Sequence, residues 1–330
     1  MTPVEGQVPA GELMGVRVAD GAASFRIAAP LIDRPLPGRR GRIVADADGA
    51  ILHVDAVGTF CVARGRELRF DPEPDVAPAT VTTWVHGSVA ALLLAQRGCF
   101  ALHASVVEVD GVGVAVSGPS RSGKSTTGLR LAQRGHTLVT DDVSPVTGAR
   151  PATVHPFERP LHVYAETAGS LGIDISGAEP VLPTNPKLAL PMPPRAPVRL
   201  GAIVVLQPRE PGAGVDAQRV HGAAAHWQVE RNLYRTEILG DLYRTAMFEW
   251  ASKLAQSVPL HVVNRPSDGW TVDEVADAVE AIASLARVDD GQALEPAQIA
   301  ADEQRAGQHV TVVPDHGRVG AKSGDRPAVD

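Results

Sequence analysis

One run constrains this chain more than anything else in it: Gly118-Pro119-Ser120-Arg121-Ser122-Gly123-Lys124-Ser125-Thr126. Through Ser125 it matches G-x-x-x-x-G-K-[ST], a loop whose glycines let successive backbone N–H groups turn inward on a phosphate. Its flanks supply the context such a loop needs. Val112 to Ser117 alternate small and β-branched residues, as a buried strand does. The residues after the loop read as a helix in which Leu131 and Ala132 can face a sheet, and Gly135 stands where a left-handed C-cap belongs. The helix start near Lys124 adds its positive end. Lys124 brings a mobile point charge to the outer phosphates, and Ser125 offers a hydroxyl to Mg²⁺. The only lysines are Lys124, Lys187, Lys253 and Lys322, so a lysine at this place is not background composition.

The next short apolar segment, Thr137 to Thr140, ends in Asp141-Asp142. In an open parallel sheet, ligands bind beyond the carboxyl ends of the strands, which brings both aspartates near the phosphate loop. One can orient or deprotonate an attacking hydroxyl, and the other can hold Mg²⁺ directly or through water. The competing reading is a turn cap on the way to Pro145. His103, which leads the strand before the loop, reads equally as a core histidine bonded to a carbonyl or as a functional one.

Taken together, His103, Gly111, Gly118 to Ser125, Arg134-Gly135-His136 and Asp141-Asp142 resemble, in order, the catalytic core of the HPr serine kinase family. The resemblance covers about forty residues. It implies an α/β P-loop kinase core of the HPr-kinase/PEP-carboxykinase-like type, using ATP and Mg²⁺ on a serine or threonine hydroxyl. It also implies that Asp141 serves as base, with His103 beside it. Catalytic roles then fall to Asp141, His103 and Lys124, nucleotide binding to Gly118 through Thr126, and metal binding to Ser125 and Asp142. The glycine-rich signature of the bifunctional kinase/phosphorylases is not recognisable between Val143 and Leu200, so the expected direction is kinase only. The chain looks more like the HPr-kinase-related proteins of bacterial gene clusters, some of which modify ribosomally made peptides.

Three regions are expected. Residues 1–75 form a small β-rich module, with strands around Ser24–Ala28, Ile51–Val54, Thr59–Ala63 and Leu68–Phe70, closed by the Pro-rich break Asp71–Asp75. Residues 78–287 form the catalytic domain, and residues 288–330 a largely disordered tail. Trp84 to Arg97 reads as a helix with Val85, Val89, Leu92 and Leu93 on one face. Ala149 to Val198 is proline-rich and poorly periodic, which suits a lid or substrate loop. Arg159 and Lys187 are candidate anion contacts there, and Glu158 a candidate for the Mg²⁺ shell. Later come a strand at Gly201–Leu206, a turn-rich excursion at Pro208–Gly222 and a helix at Thr236–Gln256. A strand at Pro259–Val263 is followed by Arg265, and Thr271 with Glu274 forms a capping box.

A net charge of −7 gives no general affinity for nucleic-acid backbone. No signal peptide or run of about twenty apolar residues is evident, so no membrane partner is expected. Cys61 and Cys99 have no metal-ligand spacing and suit a reducing cytoplasm. The expected partner is a protein or peptide phospho-acceptor, and a homo-oligomer is compatible with the class. Two other readings stay open: a small-molecule hydroxyl kinase with a closed pocket, and a nucleotide-gated module that binds ATP without turnover.

Overall fold

The computed structural model describes residues 17–20, 26–27, 29–38, 40–157, 159–182 and 186–289. The tail beyond Asp289, Glu158, Pro183-Thr184-Asn185 and most of the Ser24–Ala28 segment lie outside the described residues.

Six strands build the first sheet: β1 (Arg17–Asp20), β2 (Ile32–Pro35), β3 (Gly41–Ala45), β4 (Gly49–Val54), β5 (Gly58–Ala63) and β6 (Glu67–Pro72). β2 to β6 form an antiparallel meander, and β1 pairs parallel with β6. Period-2 patterning puts one face inward. Ile43, Leu52 and Phe60 pair across neighbouring strands, and each is at most 1% exposed. Phe60 stacks on Phe70 at 4.4 Å between ring centroids.

This face has no core of its own. It packs on α1 (Pro78–Trp84), a π-helical turn (Val85–Val89) and α2 (Ala90–Gln96), which run on from one another. The helical run thus starts at Pro78, six residues before the expected Trp84. Pro78 at the first turn costs the helix nothing, because that N–H has no intrahelical partner. Pro78–Gln96 is long and apolar enough by composition to cross a membrane, with a mean hydropathy of 1.2, but 61% of it is buried inside the protein.

The second sheet carries β7 (Phe100–Leu102), β8 (Ala104–Val109), β9 (Val112–Ser117), β10 (Thr137–Thr140), β11 (Ser144–Thr147) and β12 (Thr153–Val154). A small separate sheet follows, from β13 (Leu161–Tyr164), β14 (Glu179–Pro180) and β15 (Lys187–Leu190). The proline-rich stretch therefore carries, among its described residues, four short strands and one short helix. The large sheet is completed by β16 (Val198–Arg209), β17 (Asp216–Val220) and β18 (Leu260–Pro266). β17 is an edge strand inside what the sequence presents as a turn-rich excursion, and its alternation is too short to stand out among turn residues.

The sheet is mixed rather than all parallel. β9, β16 and β18 are parallel, whereas β8 runs antiparallel between β9 and β10. Two reversals leave β10 pointing the same way as β9. The carboxyl ends of β9, β10, β16 and β18 and the amino end of β8 therefore share one edge.

Helices cover both faces: α3 (Lys124–Gln133) and α7 (Val272–Asp289) on one, α5 (Gly222–Arg231) and α6 (Thr236–Ser257) on the other, while α4 (Ala165–Ser170) follows β13. Alternation along the strands decides which side chain meets which helix. Val112, Val114 and Val116 face Leu131, Val275 and Val279, while Ala115, Ile203 and Val205 face Ala225, Val229 and Leu254.

Arg134-Gly135-His136 has a structural role. Gly135 N–H bonds to Ala132 O and His136 N–H to Leu131 O, both at 3.1 Å, which is a Schellman closure of α3. Arg134 then grips α7 through Asp273 (2.8 Å), Asp277 (2.7 Å) and Glu280 (3.0 Å), and His136 reaches Glu280 at 2.9 Å. At the start of α7, the Thr271 hydroxyl is buried without a hydrogen-bond partner, so the expected side-chain cap does not form.

Candidate active site

The phosphate loop leaves β9 at Gly118, whose φ is 137°. A Cβ there would come within 2.6 Å of the Leu206 carbonyl oxygen, so only glycine fits. Arg121 (φ 65°) and Gly123 (φ 103°) turn the backbone back on itself before α3. Pro119, Ser120 and Arg121 form the exposed tip, Ser122 is buried, and Thr126 lies in the first turn of α3. Lys124 folds over the loop, its Nζ donating to Gly118 O at 3.0 Å and Pro119 O at 3.1 Å. Burial pulls its pKa down, and the charges of Asp142 and Asp141 oppose that. From the end of β18, Arg265 Nη1 donates to Ser122 O at 3.0 Å and ties the loop to the late strand.

The two aspartates turn to different neighbours. Val143 N–H bonds to Asp141 O at 2.9 Å, and Asp142 between them has a φ of 70°. This is a strained, tight γ-type turn of the kind that clusters at functional positions. Asp141 is 3% exposed. Its Oδ2 accepts from Ser125 Oγ at 3.1 Å, and its Oδ1 is buried without a well-formed hydrogen bond, although the equally buried Ser105 hydroxyl lies close enough to oppose the rise in its pKa. Burial first, then the charge of Asp142, raise its pKa against the opposing influence of Ser125. A desolvated carboxylate beside a serine hydroxyl is a fitting donor set for Mg²⁺, which takes few protein ligands and leaves the rest to phosphate and water. Among the described residues no cluster of three or more His, Cys, Asp and Glu side chains forms a metal cage.

Asp142 faces the open side. Its Oδ1 lies 2.9 Å from His103 Nε2 and its Oδ2 2.5 Å from Arg159 Nη1. Burial would raise its pKa, but the His103 hydrogen bond and the Arg159 charge outweigh it and hold the carboxyl far below the usual range. His103 therefore contacts the second aspartate, not the first as the resemblance implies. The mixed sheet explains this, because the amino end of β8 meets the carboxyl end of β10. His103 is fixed by its N–H to Asn232 O (2.8 Å), by Ser117 Oγ donating to His103 O (2.8 Å) and by an edge-on contact with Tyr234 (5.9 Å).

Arg159, a candidate phosphate or acidic-substrate contact from the sequence, has 8% of its side chain exposed, holds Asp142 and also donates to His162 Nδ1 at 2.8 Å. Other residues around Asp142 escaped the sequence reading. His86 comes from the π turn, whose kink falls at Gly87 (φ −106°, ψ −106°) in the Gly87-Ser88 pair that the sequence reading took for ordinary helix. Tyr234 and Arg235 arrive because the α5–α6 junction is stitched antiparallel onto β7, with Tyr234 N–H bonded to Ala101 O at 2.9 Å. Lys187 lies over the Tyr164 ring, 5.2 Å from its centroid.

Burial, with the charge of Arg159, pushes both His86 and His162 down to about 4. Both are thus neutral in the folded protein at pH 7. The unfolded chain takes up these protons below about pH 6.5, so stability falls as the pH drops from there towards 4. Between pH 7 and pH 5 we expect a loss of up to about 2 kcal/mol per histidine. Urea unfolding at the two pH values checks this. His162→Asn should flatten the dependence, and an unchanged slope in that variant would refute the assignment.

The HPr Serine kinase C-terminal domain family matches residues 94–162, the segment holding His103, the phosphate loop, both aspartates and Arg159. This is an HPr-kinase-like segment. The HPr kinase/phosphorylase of Treponema pallidum is 41% identical over 76 residues, 22% of this chain and 24% of that protein. That of Exiguobacterium is 52% identical over 101 residues, 28% of this chain and 32% of that protein. The matches thus span only about a quarter to a third of these relatives' lengths. The solved HPr(Ser) kinase/phosphatase of Coxiella burnetii aligns with a TM-score of 0.28 at 14% identity, over 58% of this chain and 98% of its own. Outside the HPr-kinase-like segment, His86 of the π turn, the α5–α6 junction with Tyr234, and Arg265 of β18 complete the surroundings of the site.

Proposed function

We propose that this protein is a cytoplasmic ATP-dependent kinase that phosphorylates a serine or threonine hydroxyl of a small protein or peptide. The observation that carries the reading is the split of the aspartate pair at the mouth of the phosphate loop. Asp141 pairs with Ser125 of the loop, and Asp142 pairs with His103 on the open side. Bound Mg·ATP supplies the transferable phosphoryl group and part of the charge neutralisation.

The roles of this chain's residues follow from their places. The loop amides between Gly118 and Thr126, Pro119 having no N–H to offer, cradle the phosphates, and Lys124 leaves the carbonyls of Gly118 and Pro119 to neutralise the outer ones. Ser125 and Asp141 hold Mg²⁺. Asp142 is the carboxylate that an incoming hydroxyl can reach, with 32% of its side chain exposed. It orients that hydroxyl and takes its proton as the oxygen bonds to phosphorus and the nucleoside diphosphate departs. A carboxylate held this firmly ionised is a weak base. The loose transition state of phosphoryl transfer asks for little deprotonation until late, so orientation is its larger contribution. His103 and Arg159 hold Asp142 in position. This reading exchanges the roles that the order Asp141-Asp142 implies by resemblance.

The test is transfer of labelled γ-phosphate from Mg·ATP to serine- and threonine-containing peptides, read by mass spectrometry, beside free hydroxyl compounds. Phosphoserine or phosphothreonine in a peptide is the expected product. Transfer only to a small hydroxyl compound would select the small-molecule kinase. ATP binding with no transfer to either would select the non-catalytic module.

A further inference from the structure

Trp270 is 50% exposed and belongs to none of the three apolar cores formed by the described residues. Single exposed aromatic residues are ordinary, but the position of this one is not. It sits between β18 and α7, on the carboxyl-end edge of the sheet where the phosphate loop also lies. Five residues earlier, Arg265 contacts the loop at Ser122 O.

The helix pairing fixes the other side. Arg130 of α3 meets Asp273 of α7 at 2.7 Å, and His136, further along, meets Glu280 at 2.9 Å. The contacts advance together along both helices, so α7 runs parallel to α3 with its amino end towards the phosphate loop. Trp270 lies just before α7 begins at Val272, at the end of that helix which faces the phosphate loop. The segment is also braced: Ser267 N–H bonds to Arg209 O at 2.9 Å, and Gly212 N–H to Asp268 Oδ1 at 3.1 Å. A phosphate loop grips only the charged end of a nucleotide, and a half-exposed indole on the same sheet edge, carried by a braced segment, suits the other end.

We infer that Trp270 is a stacking platform for the base of the bound nucleotide, so that the site takes nucleoside triphosphates in preference to bare polyphosphate. The inference rests on the nucleotide reading of the loop. The experiment compares Mg²⁺-dependent binding of ATP and of inorganic tripolyphosphate by calorimetry, in the wild type, Trp270→Ala, Trp270→Phe and Lys124→Ala. Trp270→Ala should weaken ATP roughly tenfold, the scale of one base–aromatic stack, and leave tripolyphosphate unchanged. Trp270→Phe should retain most of the ATP affinity. Unchanged ATP affinity in Trp270→Ala, or equal weakening of both ligands, would overturn the inference. Lys124→Ala should weaken both ligands. If it weakens neither, the phosphate-loop reading fails, whatever Trp270 does.

Discussion

Exchanging the two aspartates for asparagine one at a time will separate metal binding from acceptor chemistry. Asp141→Asn keeps the shape of a 3%-exposed side chain and removes its charge. With Asp141 and Ser125 holding Mg²⁺, this variant should need more Mg²⁺, and excess Mg²⁺ should partly restore the rate. Ser125→Ala should share the rescue. Asp142→Asn should bind Mg·ATP about as well as the wild type, while phosphoryl transfer falls about 10²- to 10⁴-fold, roughly 3 to 5 kcal/mol of barrier. Excess Mg²⁺ should not repair it. Single-turnover transfer and nucleotide titration across a Mg²⁺ series distinguish the two. Rescue of Asp142→Asn alone would return the roles to the order implied by resemblance. If neither variant changes transfer, the pair is structural and the kinase reading loses its main support beyond the loop.

Lys124→Ala should lower ATP turnover at least about 10²-fold, the scale of losing one preorganised donor to transition-state charge. The fold should survive, because among the described residues the two hydrogen bonds of the Lys124 Nζ go to carbonyls of its own loop. The loop keeps its other anchors in the Gly118 fit against Leu206 and the Arg265 bond to Ser122. Thermal melting within a few degrees of the wild type, with turnover lost, is the expected pair of results. Turnover like that of the wild type in the folded variant would remove the nucleotide assignment.

What the sequence made legible was whatever a short window can encode. The strand–loop–helix around Gly118 to Thr126 is such a window, since its strand alternates, its glycines are required by φ, and its helix ends on Gly135. The meander strands β4, β5 and β6 were equally visible in alternation. What stayed hidden depends on contacts between distant segments. Nothing near His103 tells that Asn232 and Tyr234 are stitched to its strand, or that β8 runs antiparallel and delivers it to Asp142. The π turn at Val85–Val89 reads as ordinary helix. Arg134 and His136 look like parts of a catalytic signature, yet their partners are the acidic residues of α7, some 140 positions away.

The insertion of β8 between β9 and β10 also acts as a gauge. Strands in a sheet lie about 4.8 Å apart, so one intervening strand sets the roots of the phosphate loop and of the aspartate pair roughly 10 Å from each other. Were β10 the immediate neighbour of β9, the carboxylates would crowd the loop, and a phosphoryl group would have no floor between them. One strand further out, Ser125 could no longer reach Asp141. The strand therefore fixes the width of the gap into which phosphate and acceptor must fit on the proposed reading, and because backbone hydrogen bonds set that width, it stays the same whatever side chains β8 carries.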